Sequence, residues 1–319
     1  MRPMSSRELI ALGTSSQVPT RERSHNAYLV RWEGSGILFD PGEGAQRQMT
    51  LAGVPAGVVD AICISHFHGD HCLGLPGIVQ RLSLESCRHP VHLFYPESGQ
   101  AYVDALCRAA IYKSSVELVP HPIALRPGET AEVWRTGGWA LLAGELDHSV
   151  PTLGFRIEEP EGRRFLPERL AAAGVSGPMV GEIARRGRVR TPRGTVRIEE
   201  VSAPRPGNVF AFVMDTRPCR VALELARGAD LLLMEATFLS ADGELAARYG
   251  HATAADAART ARDAGAGQLA LGHFSQRYPD TRAHLEEARN VFPNVTALAD
   301  LERVPIPRPV RAGGGAKSI

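Results

Sequence analysis

Apolar stretches of strand length, parted by turn-forming residues, open the chain. ELIALG (8–13), NAYLVRW (26–32) and GILFDPGEG (36–44) each read as strand, and the last ends in a Gly-rich turn around Asp40. GAQRQMTLAG (44–53) has the pattern of a short helix. AICISH (61–66) is apolar and β-branched, as in a strand buried on both faces between helices. GLPGIVQRLSLES (74–86) reads as helix with a break near its start, followed by strand VHLFYP (91–96) and helix ESGQAYVDALCRAA (97–110).

A second strand-rich section contains ALLAGELDHSVPTLGFRIEE (140–159). The pattern then changes. Residues 159–205 include GVSGPMVGEIARRGRVRTPRGTVRIEE, rich in Gly, Pro and Arg, and from Arg185 to Arg197 there are six arginines and no acidic residue. This stretch reads as an inserted arm projecting from the core. Alternation of strand and helix returns with NVFAFVMDT, CRVALELARG, DLLLMEATF, TAADAARTARDAG, QLALGHFS and DTRAHLEEARNVF. Two halves of this kind predict paired sheets sandwiched between helices, an α/β fold over residues 1–319. The tail RAGGGAKSI (311–319) is expected to be disordered.

Composition sharpens this picture only a little. Hydrophobic residues make up 44% and charged residues 22%, which fits a soluble globular protein. There is no apolar run of bilayer length and no signal-peptide pattern at the start, so a cytoplasmic protein with no membrane partner is expected. The five cysteines form no C-x-x-C pair, which disfavours both a disulfide framework and a thiolate metal site. A net charge of +1 does not announce a nucleic-acid partner, but the basic charge is almost all Arg, suited to bidentate phosphate contacts.

The chemistry concentrates in ISHFHGDHCLGLPG (64–77). His66 and His68 lie two apart on a loop leaving a strand, so both imidazoles can face one ion. Asp70 and His71 follow at a helix start and point toward a second ion. His148, Asp215 and His273 also follow apolar strands, where α/β sheets place their sites. This nitrogen–oxygen set suits zinc, with manganese or iron as alternatives. His25, His89, His92, His121 and His284 carry no such context and read as structural or surface residues.

SHFHGDH resembles the H-x-H-x-D-H signature of the metallo-β-lactamase superfamily, which implies an αββα four-layer sandwich. HGDHCLGLPG, HSVPTLGFRI, VMDTRPC, EATF, GHATAADAA and HFSQRY, with LGTSSQVPTRERS…GILFDPGEGAQRQM at the front, occur in the order found in the ribonuclease Z family, the tRNA 3′-processing endonucleases. LAAAGVSGPMVGEI is similar to the Gly-Pro motif of that family's tRNA-binding arm. The resemblance implies two Zn2+ per subunit, with His66, His68 and His148 on one ion, Asp70, His71 and His273 on the other, and Asp215 bridging. It implies catalytic roles for Asp70 (base or water-orienting group) and for His251, supported by Glu235, in assisting the leaving group. It also implies precursor tRNA as partner and a homodimer. Gly177, Pro178, Arg185 and Arg186 in the arm, with Arg21, Arg23 and Arg277 nearer the metals, are the expected substrate contacts. Met234, Met214 and Ala252 depart from the family's usual His, Gly and Ser. The alternatives are a hydrolase of small phosphodiesters or esters on the same scaffold, and a non-catalytic RNA-binding relative.

Overall fold

The computed structural model describes residues 7–307. The 311–319 tail lies outside these residues. Two compact units are present, one formed by the chain up to Glu158 and again from Val209, the other by Glu159–Asn208.

The larger unit is built on two seven-stranded sheets. The first runs Arg303–Pro305, Glu8–Gly13, Ala27–Trp32, Ser35–Phe39, Val59–Cys63, Val91–Pro96, Leu118–Ile123 from edge to edge. Its first four strands pair antiparallel and the rest pair parallel. One edge strand carries Pro120 and Pro122, which lack the N–H that a further neighbour would need. The second sheet runs Val295–Ala297, Leu269–Gly272, Leu231–Glu235, Val209–Val213, Leu153–Glu158, Ala140–Glu145, Thr130–Arg135.

Period-two alternation sorts the side chains into layers. Tyr28, Val30 and Trp32 enter the core between the sheets, while Ala27 and Leu29 face the first sheet's helices. In the second sheet Phe210, Phe212 and Met214 point between the sheets, and Val209, Ala211 and Val213 point to the other helical layer. Phe39 joins the sheets, stacked on Phe212 at 4.7 Å and tilted against Phe155 and Phe210. The result is the helix–sheet–sheet–helix order expected from the sequence. Met214 lies in the inter-sheet core, and Met234 and Ala252 lie in the second helical layer, so all three departures from the family pattern are packed apolar side chains. Among the described residues no helix is long and apolar enough to cross a membrane.

The Glu159–Asn208 unit has regular structure that its composition does not announce. Gly162–Phe165 pairs with Ser202–Arg205, and Arg188–Thr191 with Gly194–Arg197. Helices Pro167–Ala172, Pro178–Arg186 and Ile198–Val201 complete it. Val175, Ile183, Val189, Val196 and Val201 form its small core. All six arginines from Arg185 to Arg197 are exposed.

His284, on helix Arg282–Arg289, is fully buried with no hydrogen-bond partner for either ring nitrogen. It packs edge-on against Phe274 and Tyr278. Burial, aided by the nearby charge of Arg23, lowers its pKa to about 4. The unfolded chain therefore binds more protons than the folded one between pH 4 and the ordinary histidine value. This contribution is intact above about pH 6.5 and is lost as pH falls, by about 3 kcal/mol at pH 4. His284→Phe, compared with wild type by denaturant unfolding in chelator, should lose correspondingly less stability over that range. Parallel stability–pH curves would show that His284 is not the acid-sensitive group.

Candidate metal centre

Each predicted ligand sits just past the carboxyl end of a strand or in the loop it feeds. His66 and His68 follow Val59–Cys63, and Asp70 and His71 lie in the short helix Gly69–Cys72, which is entered from His68. His148 lies in the turn between Ala140–Glu145 and Leu153–Glu158. Asp215 follows Val209–Val213, and His273 follows Leu269–Gly272. Residues far apart in sequence thus meet along one edge of the paired sheets. Asp40, Asp215 and His273 all have positive φ (46°, 46° and 59°), a left-handed conformation that L-residues seldom adopt. Their clustering at one place marks it as a site where strain is held for a purpose.

The ligand atoms form two groups. His66, His68, His148 and Asp215 make one and Asp70, His71 and His273 the other, while Asp215 and His273 also stand within ligand distance of His251. In the first, His66 Nε2 faces His68 Nδ1 at 2.9 Å, and Asp215 Oδ2 lies 3.5 Å from His66 and 3.7 Å from His148. In the second, His71 Nε2 is 3.2 Å from His273 Nε2, and Asp70 Oδ2 is 3.3 Å and 3.4 Å from these two nitrogens. Asp215 touches both groups, with Oδ2 3.4 Å from His71 and Oδ1 3.2 Å from His273. Ligands about 2.0–2.1 Å from a tetrahedral zinc stand about 3.3 Å apart, so these separations suit cations at the two centres. Asp215 Oδ1 is buried and has no hydrogen-bond partner among the described residues, which leaves it available to a cation.

The opposite ring nitrogens explain why the imidazoles face inward. His148 Nδ1 donates to the Gly250 carbonyl at 2.8 Å, leaving Nε2 as the lone-pair atom. Gly250 has φ +80°, and a Cβ there would meet His148 Nδ1 at 2.7 Å, so glycine is needed on both counts. Ser65 Oγ donates to Asp40 Oδ2 at 2.7 Å and so accepts from His66 Nδ1 at 3.0 Å. Asp40 also accepts from the Ser65 amide and from His71 Nδ1, both at 2.7 Å. On the other half, Thr237 Oγ1 donates to Glu235 and accepts from His273 Nδ1 at 2.8 Å. His68 alone turns Nδ1 inward. Such partners fix the tautomer and the ring direction. Asp40, Ser65, Thr237 and Gly250 all fall inside the motifs quoted above, but nothing in their residue types announces these bonds.

Charge follows the same geometry. Burial lowers the pKa of His66, His68 and His148, leaving neutral rings with free lone pairs. Burial acts the same way on His71, but Asp215, Asp70 and Asp40 outweigh it and raise its pKa. Burial opposes ionisation of Asp70 and Asp215, yet the histidines around them hold both carboxyls well below the usual carboxylate range. The buried anions call for positive charge.

A cavity of about 730 Å³ opens over the ligands and is lined in part by Asp70, Asp215, His251, His273, Gln276 and Arg277. His251 Nδ1 faces Glu235 at 3.1 Å, and Glu235 is buried and also accepts from the Thr216 amide. Burial works against a charged His251 ring, but Glu235 and Asp215 outweigh it and lift its pKa to about 9. Arg277 is exposed at the cavity. Arg21 is exposed but does not line it. Arg23 departs from its expected role as a phosphate contact. It is 6% exposed, and its guanidinium donates to the carbonyls of Ser275 and Tyr278. Gly177, Pro178, Arg185 and Arg186 belong to the second unit, where Gly177 caps helix Pro178–Arg186 with φ 55°.

Asp40 anchors two ligand histidines, so Asp40→Asn should weaken metal binding about 10–100-fold in a competition with a chromophoric chelator while the circular dichroism stays unchanged. Unaltered affinity would make Asp40 a packing residue only.

The metallo-beta-lactamase superfamily profile matches residues 20–163. The "Ribonuclease Z" of Nocardia farcinica is 53% identical over 305 residues, 95% of this chain and 99% of that protein. The "Ribonuclease Z" of Chlamydia muridarum is 45% identical over 297 residues, 93% of this chain and 96% of that one. The crystal structure of human tRNase Z, short form, matches with a TM-score of 0.69 at 23% identity, covering 94% of this chain and 99% of that chain, which is a likeness of fold. With identity at this level over nearly its whole length, the chain belongs to the ribonuclease Z family of the metallo-β-lactamase superfamily.

Proposed function

We propose that this chain is a zinc-dependent endoribonuclease that removes the 3′ trailer from precursor tRNA, leaving a 3′-hydroxyl on the tRNA and a 5′-phosphate on the trailer. The observation that carries this reading is the convergence of two ligand groups on Asp215 beneath an open, polar cavity. His66, His68 and His148 would hold one Zn2+ and Asp70, His71 and His273 a second, with Asp215 within reach of both; Mn2+ would suit the same donors. Such ions neutralise a phosphodiester and lower the pKa of water toward 7.

The protein's own groups do the rest. Asp70, at the cavity floor, accepts a hydrogen bond from the attacking water and holds it in line. The leaving 3′-oxygen needs a proton. His251 has Nδ1 engaged by Glu235, which leaves Nε2–H to donate from the cavity wall. Glu235 accepts from Nδ1–H and, with Asp215, keeps the ring as the imidazolium, so that Nε2 carries a proton as well. Arg277 and Arg21 meet phosphates near the cut, and Arg185 and Arg186, with the Gly177–Pro178 turn, meet the tRNA backbone from the arm. A homodimer goes with membership of this family. A cytoplasmic location goes with this substrate.

Incubation with a 3′-extended precursor tRNA should give one cut at the tRNA 3′ end, abolished by chelator. No cut with metal present would refute the reading. His251→Ala should lower kcat on precursor about 10²–10⁴-fold but far less on a nitrophenyl diester, whose leaving group needs no proton. Equal losses would remove His251 from that role. The small-substrate alternative is tested by excising the arm. Glu159 N donates to Asn208 O at 3.0 Å, and Glu158 pairs with Val209, so a short turn can rejoin the ends. The excised protein should lose precursor cleavage at least 100-fold and keep the diesterase. Retention of both would favour the alternative.

A further inference from the structure

Ligand His273 leads into a turn that is held from three directions. The Phe274 amide donates to Thr14 O, and the Ser16 amide to Phe274 O. At the far end, the Tyr278 hydroxyl bonds Asp242 and accepts from the Leu239 amide at 3.1 Å. Between these points the Tyr278 amide returns to Ser275 O at 3.2 Å, which leaves Gln276 and Arg277 exposed at the cavity mouth. Arg23 holds this turn from inside the fold. Its Nη2 donates to Tyr278 O at 2.8 Å and Ser275 O at 3.3 Å, bridging both ends. Arg23 is itself rigid at its base: Thr20 N donates to Arg23 O at 2.8 Å, and Arg23 N to Thr20 Oγ1 at 3.0 Å.

We propose that Arg23 is a positioning residue for RNA binding, fixing the Ser275–Tyr278 turn so that Arg277 meets the phosphates next to the cut. The inference rests on the reading of the substrate as RNA. A buried cation bonded to backbone carbonyls constrains the chain that carries them, and a long exposed side chain such as Arg277 takes its direction from that chain. The sequence puts Arg21 and Arg23 in one turn, but burial separates their roles. Arg21 is free to meet an anion at the surface, whereas Arg23 acts through the turn it grips.

The test is a double-mutant cycle on precursor tRNA with Arg23→Gln and Arg277→Gln, reading KM, kcat and the salt dependence of binding. Each single variant should raise KM about tenfold with kcat held, and the double variant should be no worse than Arg277→Gln. Multiplied effects in the double variant would overturn the proposal. So would a further drop in the salt slope when Arg23→Gln is added to Arg277→Gln, because Arg23 would then be meeting phosphate itself. A fall in kcat for Arg23→Gln matching its rise in KM would make it a support of the metal ligands instead. Should Arg23→Gln fail to fold, Arg23→Lys, which keeps the charge but is shorter, runs the same cycle. Wild-type protein that cuts a small diester but not precursor tRNA would sink the substrate reading, and this inference with it.

Discussion

Imidazole nitrogens that face one another at 2.9–3.2 Å inside a protein, with carboxylate oxygens beside them, must share a proton or a cation if their lone pairs are not to repel. That constraint organises the larger unit. His66, His71 and Asp215 are buried, so water cannot screen them. The fold must therefore hold lone pairs and negative charge against their own repulsion, which is what a site for divalent cations demands. Asp215 is the point of closure, because Oδ2 stands near ligands of both groups and Oδ1 faces His273.

The two halves meet this demand in parallel ways. In the first, Asp40 beyond Ser35–Phe39 holds Ser65, and Ser65 holds His66. In the second, Glu235 at the end of Leu231–Glu235 holds Thr237, and Thr237 holds His273. Each relay runs from carboxylate to hydroxyl to imidazole between adjacent parallel strands. The strained residues Asp40 and Asp215 sit just past Phe39 and Phe212, whose stacked rings join the sheets. A rigid aromatic contact thus lies under the most demanding backbone positions.

Much of this was legible from residue order. The run from His66 to His71 is local, so ligand spacing reads directly. His148, Asp215 and His273 stand after apolar strands, and strand alternation is visible without a structure. The relays were not legible, because a serine or threonine that accepts from an imidazole looks like any other. Asp40 read as a turn residue for the same reason. The pairing of Arg303–Pro305 with Glu8–Gly13 joins opposite ends of the chain and leaves no local signal. Arg23 lies in a turn whose sequence looks exposed, and only the carbonyls of Ser275 and Tyr278 reveal where the side chain goes. In the arm, charge and glycine content masked a small aliphatic core spread over Val175 to Val201.

The most direct test of the central claim is the zinc content of active protein, measured by elemental analysis beside Asp215→Ala. Two ions per chain are expected in the wild type, with both weakened when the shared carboxylate is removed. One ion or none in fully active protein, or two ions held as tightly without Asp215, would contradict the account.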